Sequence, residues 1–109
     1  MVKTHVHVPK VDELPIPIRV AVLDFADTFG PVTAVKSLQR SLGVTADGVL
    51  GPSTMAAVRM TFLPRVQDEY AKARIRYLTA LVVAQPVKTR FLTEWVNRAL
   101  AFLPIPREE

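Results

Sequence analysis

Residues Leu38–Val58 read LQRSLGVTADGVLGPSTMAAV, and the fold turns on how this stretch is interpreted. Leu38 and Leu42 lie one helical turn apart, and Gly43 follows directly, supplying the positive φ on which a helix can stop. Asp47-Gly48 is a turn dipeptide, and Gly51-Pro52 opens a new helix with proline at its first position. Thr54, Met55 and Val58 then resume helical spacing. A helix, a tight turn and a second helix are predicted.

Working outward, the N-terminal stretch alternates valine with polar residues at Val2, Val6, Val8 and Val11, and reads as an extended arm or a short strand. Pro9, Pro15 and Pro17 argue against helix before about Ile18. Ile18, Val22, Phe25 and Phe29 then follow helical spacing until Gly30-Pro31 breaks it. The next helix puts Ala34, Val35, Leu38 and Leu42 on one face. A third runs from Pro52 to about Phe62, and Pro64 separates it from a fourth. In the fourth, Val66, Tyr70, Ala73, Tyr77 and Leu81 form the inward stripe, while Arg65, Lys72, Arg76 and the Asp68–Lys72 pair face water. Gln85-Pro86 ends it. The fifth, from about Val87 to Leu103, carries two adjacent apolar rows: Phe91, Trp95, Ala99 and Phe102, beside Leu92, Val96, Leu100 and Leu103. A face that wide needs several helices, or a partner, to cover it. The fold class is all-α: a compact bundle of about five helices (residues 15–104) behind a short extended N-terminal arm (1–14), with a charged tail (105–109).

Composition narrows the function classes. A chain of 109 residues, half of them apolar, suits one domain with its own core. The absence of cysteine excludes disulfides and thiolate metal sites. No apolar run approaches the roughly 18 residues that span a bilayer, so no membrane insertion is expected. The start, MVKTHVHVPK, lacks an apolar core of signal-peptide length, and the chain is expected to be cytoplasmic as synthesised. The formal charge of +4 is uneven: residues 1–54 hold five basic and five acidic groups, residues 55–109 nine and five. A modest positive field suits cell-wall polymers, nucleic acid or acidic proteins, although a solvated basic helix face accounts for it as well.

The pattern LQ..LGV..DG..G..T across Leu38–Thr54 resembles the peptidoglycan-binding segment at the C-terminal end of phage-type muramidases, glycoside hydrolase family 108. Val22-Leu23-Asp24-Phe25-Ala26 and Gly30-Pro31 are similar to that family's aliphatic-Asp-aromatic-Ala segment and its following Gly-Pro. Ala73-Arg74-Ile75-Arg76-Tyr77 looks like its basic, Tyr-ending helix, and Phe91 with Trp95-Val96-Asn97-Arg98 like its terminal element. The resemblance implies the C-terminal half of a lysozyme-like fold. Family members begin with a domain bearing a catalytic Glu in a Glu-Gly-Gly context. Here the shared region is reached by about Leu14, and the only earlier carboxylates, Asp12 and Glu13, have no glycine beside them. The enzymatic half is therefore expected to be missing. Release to the cell wall would fall to a phage holin or another lysis factor. The family also places Asn four residues after its Asp, where this chain has Thr28, which lacks the amide's paired donor and acceptor.

Glycoside hydrolysis takes two carboxyls, one with a raised pKa. Asp24 and Asp27 could share a helix face, but Asp24 among Val22, Leu23 and Phe25 reads as a buried network residue. Glu94 adjoins Trp95 where the family usually has Gly, so it is not an inherited acid. No catalytic residue is assigned. Saccharide sites combine an aromatic platform with amides and arginines, which nominates Gln39, Tyr70, Tyr77, Trp95, Asn97 and Arg98 as ligand-binding residues. A lone Trp at helical spacing also suits a core, and Gln39 and Arg98 also suit structural hydrogen bonds. Asp24, Gly43, Asp47, Gly48, Gly51 and Thr54 are read as the structural motif. His5 and His7 are two ligands on a terminal arm, too few for a metal site, and no cofactor motif is present. DNA reading by the Leu38–Val58 corner is disfavoured, because Arg59 is the only charge on Pro52–Phe62.

The leading expectation is a non-enzymatic peptidoglycan-binding domain of phage or prophage lysis origin, docking on the wall or targeting a separate lytic enzyme. The alternative is a repurposed module that binds or inhibits a host protein, with a homodimer as one way to cover the fifth helix. An active hydrolase using Asp24 or Glu94 ranks last.

Overall fold

The structure, a computed structural model, describes residues 7–104; His5 and the rest of residues 1–6 of the expected arm, and the charged tail, lie outside them. Five α-helices follow in order: α1 Ile16–Phe29, α2 Pro31–Leu42, α3 Pro52–Arg59, α4 Leu63–Ala84 and α5 Leu92–Leu100. Among the described residues there is no strand, and the all-α expectation is met. No described helix is long and apolar enough to cross a membrane.

Proline sets most of the starts. Pro17, Pro31, Pro52 and Pro64 each occupy the first or second position of a helix, where the missing N–H would have had no partner. Helix α2 stops at Gly43, which takes a left-handed conformation (φ 75°), while the Val44 N–H donates to the Gln39 carbonyl at 3.1 Å.

The core sits where α1 packs on α2 and α4, and α2 packs on α3 and α4. Ile18, Val22 and Phe25 of α1 are fully buried against Ala34, Val35 and Leu38 of α2 and Val66 of α4. Phe25 meets Phe29, Tyr70 and Tyr77 edge to face at 5.5, 6.2 and 5.6 Å. Each such pair contributes about 0.5–1.5 kcal/mol beyond area burial.

Four elements differ from the sequence-based expectation. Helix α3 ends at Arg59, short of Phe62, which instead caps the start of α4. Val11–Glu13 curl into a 3₁₀ turn instead of running extended, and the guanidinium of Arg19 donates to the carbonyls of Asp12 (2.9 Å) and Leu14 (3.1 Å). Val8 and Leu14 are buried on the core, so this segment is a lid on the bundle. Helix α1 begins two residues before Ile18, because Pro17 sits in its first turn and does not block it. The fifth helix is split: Pro86–Phe91 is 3₁₀, with the Thr89 hydroxyl donating to the Pro86 carbonyl at 2.6 Å, and only Leu92–Leu100 is α. Its packing runs mainly against α4, so of its two apolar rows Ala99 is buried while Leu100 and Phe91 stay exposed.

Candidate functional site

The α4 stripe is centred one residue away from its expected position. Val66 and Tyr70 are buried as expected, but Arg74 and Leu78 continue the stripe, while Ala73 and Tyr77 move to its half-buried edge. That small rotation brings Arg74 inward and leaves Ala73 and Tyr77 at the edge of a groove, so two polar features of the molecule depend on it.

The first is an ionic core. Asp24 of α1 accepts from Arg74 Nη2 of α4 through Oδ2, and from Arg98 Nη2 of α5 through Oδ1 at 2.6 Å. One carboxylate thus ties three helices together. The Arg74 guanidinium carbon lies 4.8 Å from the Phe25 ring centre and 5.8 Å from that of Phe102. Its buried Nε and Nη1 have no hydrogen-bond partner among the described residues, and the negative ring faces supply part of the missing compensation. Hydrogen bonding to Asp24 holds the Arg98 pKa above its ordinary value.

The second is a groove of about 430 Å³ between α2 and α4. Helix α2 contributes Ser37, Arg40 and Ser41, spaced i, i+3 and i+4. Helix α4 contributes Glu69, Ala73, Arg76 and Tyr77, spaced i, i+4, i+7 and i+8. Each set is one helix face bordering an apolar stripe. Apart from Tyr77, none of these was nominated from the sequence. The signal was present in their periodicity, but polar residues beside an apolar stripe look like any solvated helix edge.

Below the groove, the Leu38–Val58 corner is locked by a single side chain. Gln39 Nε2 faces Asp47 Oδ1 (2.9 Å), the Val49 carbonyl (2.8 Å) and Thr54 Oγ1 (2.9 Å), while Gln39 Oε1 accepts the Gly48 N–H at 2.9 Å. Gly48 has φ 83°, so the backbone calls for glycine, and an added Cβ would also stand 3.2 Å from Val32 Cγ1, which would have to give way slightly. Gly51, by contrast, is an extended N-cap that any residue could adopt. The backbone N–H of Val49, then Gln39, holds the Asp47 carboxyl below its ordinary range. A lowered native pKa means that the contribution is intact above the unfolded value, near 3.9, and is lost as pH falls through the native one. Urea midpoints measured from pH 5 to pH 2 are expected to fall less steeply in Asp47→Asn than in the wild-type chain.

The nominated ligand residues separate accordingly. Gln39 is 1% exposed and Tyr70 is 2% exposed, the latter donating its hydroxyl to the Ala34 carbonyl at 3.0 Å, so both face inward. Burial pushes the Tyr70 phenol well above its usual pKa. Trp95 is half-buried between Phe29 (5.2 Å, edge to face) and Phe91 (5.4 Å, stacked). Phe91 thus covers one face of the Trp95 ring. Arg98 is committed to Asp24, and Asn97 is exposed on α5. Only Tyr77 reaches the groove.

Residues 33–100, spanning the lock, the whole groove and α5, match the family described as a predicted peptidoglycan domain. The chain belongs to that family. The structure of SagA from Brucella abortus is similar at 41% identity and a TM-score of 0.67, over 84% of this chain and 55% of the SagA chain. This member of the predicted peptidoglycan domain family therefore spans about half the length of that relative. No curated protein matches it.

Proposed function

We propose that this chain is a non-catalytic peptidoglycan-binding domain, related by descent to the C-terminal half of phage or prophage muramidases of glycoside hydrolase family 108. The observation that carries the binding reading is the α2–α4 groove, whose lining residues all fall within the segment that matches the peptidoglycan family. The groove is open, polar on its rims and within the roughly 300–1,000 Å³ range of small-ligand sites. The non-catalytic reading is supported by Asp24, whose two carboxylate oxygens are both taken up by arginines. With both oxygens occupied, and the side chain tied to α4 and α5, the carboxyl is not free to approach a scissile bond.

Sedimentation with purified peptidoglycan sacculi tests the reading. The protein is expected in the pellet, and Arg40→Glu/Arg76→Glu is expected largely in the supernatant. Wild-type protein that stays in solution would refute wall binding. Release of soluble muropeptides by the purified chain would refute the non-catalytic half.

A further inference from the structure

The charges around the groove point to one component of the polymer. Arg40 and Arg76 are both exposed on its rims, and no described carboxylate lies within ion-pair distance of either guanidinium. Arginine is the side chain that best grips a carboxylate, through two parallel N–H donors. Glu69 supplies the opposite charge. Its nearest cation, Lys72, stands 3.8 Å away but only 3.2 Å from Asp68, which leaves Glu69 able to accept from another ammonium. Ser41 already donates its hydroxyl to the Leu38 carbonyl at 2.7 Å, so it can offer a ligand only acceptor lone pairs.

A neutral sugar would be poorly served here. The lining holds no amide side chain, and its single ring, Tyr77, is packed edge to face on Phe25 and Phe29 at 5.6 and 5.3 Å. The two guanidiniums thus stand without the free ring face and side-chain amides that accompany arginine in saccharide sites, and their unpaired charge favours an anionic ligand. Resting on the peptidoglycan reading above, we infer that the groove binds the peptide stems of the wall and not its glycan strands. Free carboxylates of the stem sit on Arg40 and Arg76, and a free side-chain ammonium of the stem sits on Glu69. Ala73 and the Tyr77 ring edge form the apolar floor beneath the peptide backbone.

The test is an NMR titration of the nitrogen-labelled full chain with the synthetic tetrapeptide L-Ala-γ-D-Glu-L-Lys-D-Ala, run beside an N-acetylglucosamine tetramer. Saturable shifts at the amides of Arg40, Arg76 and Tyr77 are expected with the peptide and not with the sugar. Arg40→Ala/Arg76→Ala is expected to weaken the peptide by at least about tenfold, the scale of one charge-assisted contact. Arg59→Ala/Arg65→Ala, which removes two exposed arginines outside the groove lining, should leave affinity unchanged and so controls for general charge. Acetylating the peptide's lysine is expected to weaken binding to the wild type but not to Glu69→Gln. Amidating the peptide's carboxylates repeats the arginine test on unmodified protein, should the double variant fail to fold. Sacculus binding without any response to the tetrapeptide, or groove shifts caused by the sugar, would overturn the inference and leave the wall-binding reading standing. Failure to bind sacculi at all would overturn both.

Discussion

Asp24→Ala is expected to lower the free energy of unfolding by about 3–5 kcal/mol, because it strands a buried cation. The Arg74 side chain is only 4% exposed, and the Asp24 contact is its one hydrogen bond among the described residues. Removing the carboxylate leaves a guanidinium facing Phe25 and Phe102 with nothing but their ring faces for compensation. Arg98 adds less to the loss, since its side chain is 37% exposed and can turn to water. The double variant Asp24→Leu/Arg74→Met is expected to recover most of the stability, as apolar replacement of a whole buried pair often does. Urea unfolding of the two variants measures both effects. A loss below about 1 kcal/mol for Asp24→Ala would rank this trio with ordinary surface pairs. The functional consequence follows from position: α1, α4 and α5 meet at Asp24, and α4 carries one wall of the groove.

Gln39→Glu is expected to cost about 2–4 kcal/mol at neutral pH, although it changes a single atom pair. The new oxygen would face Asp47 Oδ1 and the Val49 carbonyl, two acceptors that lie 2.9 and 2.8 Å from the native Nε2. The Gly48 N–H would keep its acceptor, and the Thr54 hydroxyl can turn to donate. Buried beside another carboxylate, the introduced acid takes a proton more readily than an exposed one, and its folded pKa rises. Its penalty is therefore largest near pH 7 and shrinks as pH falls through that raised value, before Asp47 itself titrates. Urea midpoints of Gln39→Glu at pH 7 and pH 5 check the sign, and amide exchange at Gly48 and Val49 reports on the corner directly. A midpoint equal to the wild type would show that the corner holds without Gln39. Sacculus binding should fall along with stability, because Arg40 and Ser41 ride on the same last turns of α2.

Gln39 also shows why site residues are hard to nominate from sequence. An amide next to a turn motif suits a saccharide contact, and it equally suits a turn lock. The choice depends on where Thr54, fifteen positions on, places its hydroxyl. Trp95 poses the same problem: helical spacing puts it on α5, but only packing puts Phe91 over its ring. Tyr77 was nominated for its ring and reaches the groove, yet its polar neighbours there were missed. Arg40 and Arg76 line one groove from two different helices, and helical periodicity cannot say which two faces will meet. Even the α4 register shifts, because Arg74 goes inward once Asp24 is there to receive it.

The chain alone determined where it breaks between helices, since proline in a first turn and glycine at positive φ act on their own backbone and need no distant partner, although the exact ends of α1, α3 and α5 shifted by a few residues. The five-helix, all-α architecture and the resemblance to a wall-binding family were legible for that reason. Only the tertiary structure decided which polar groups were spent inside and which remained for a ligand. Asp24 and Arg98 are 74 residues apart, and Tyr70 reaches a carbonyl 36 residues away. A polar side chain turns inward only when such a partner cancels its loss of water, and the partners come together only when the helices pack.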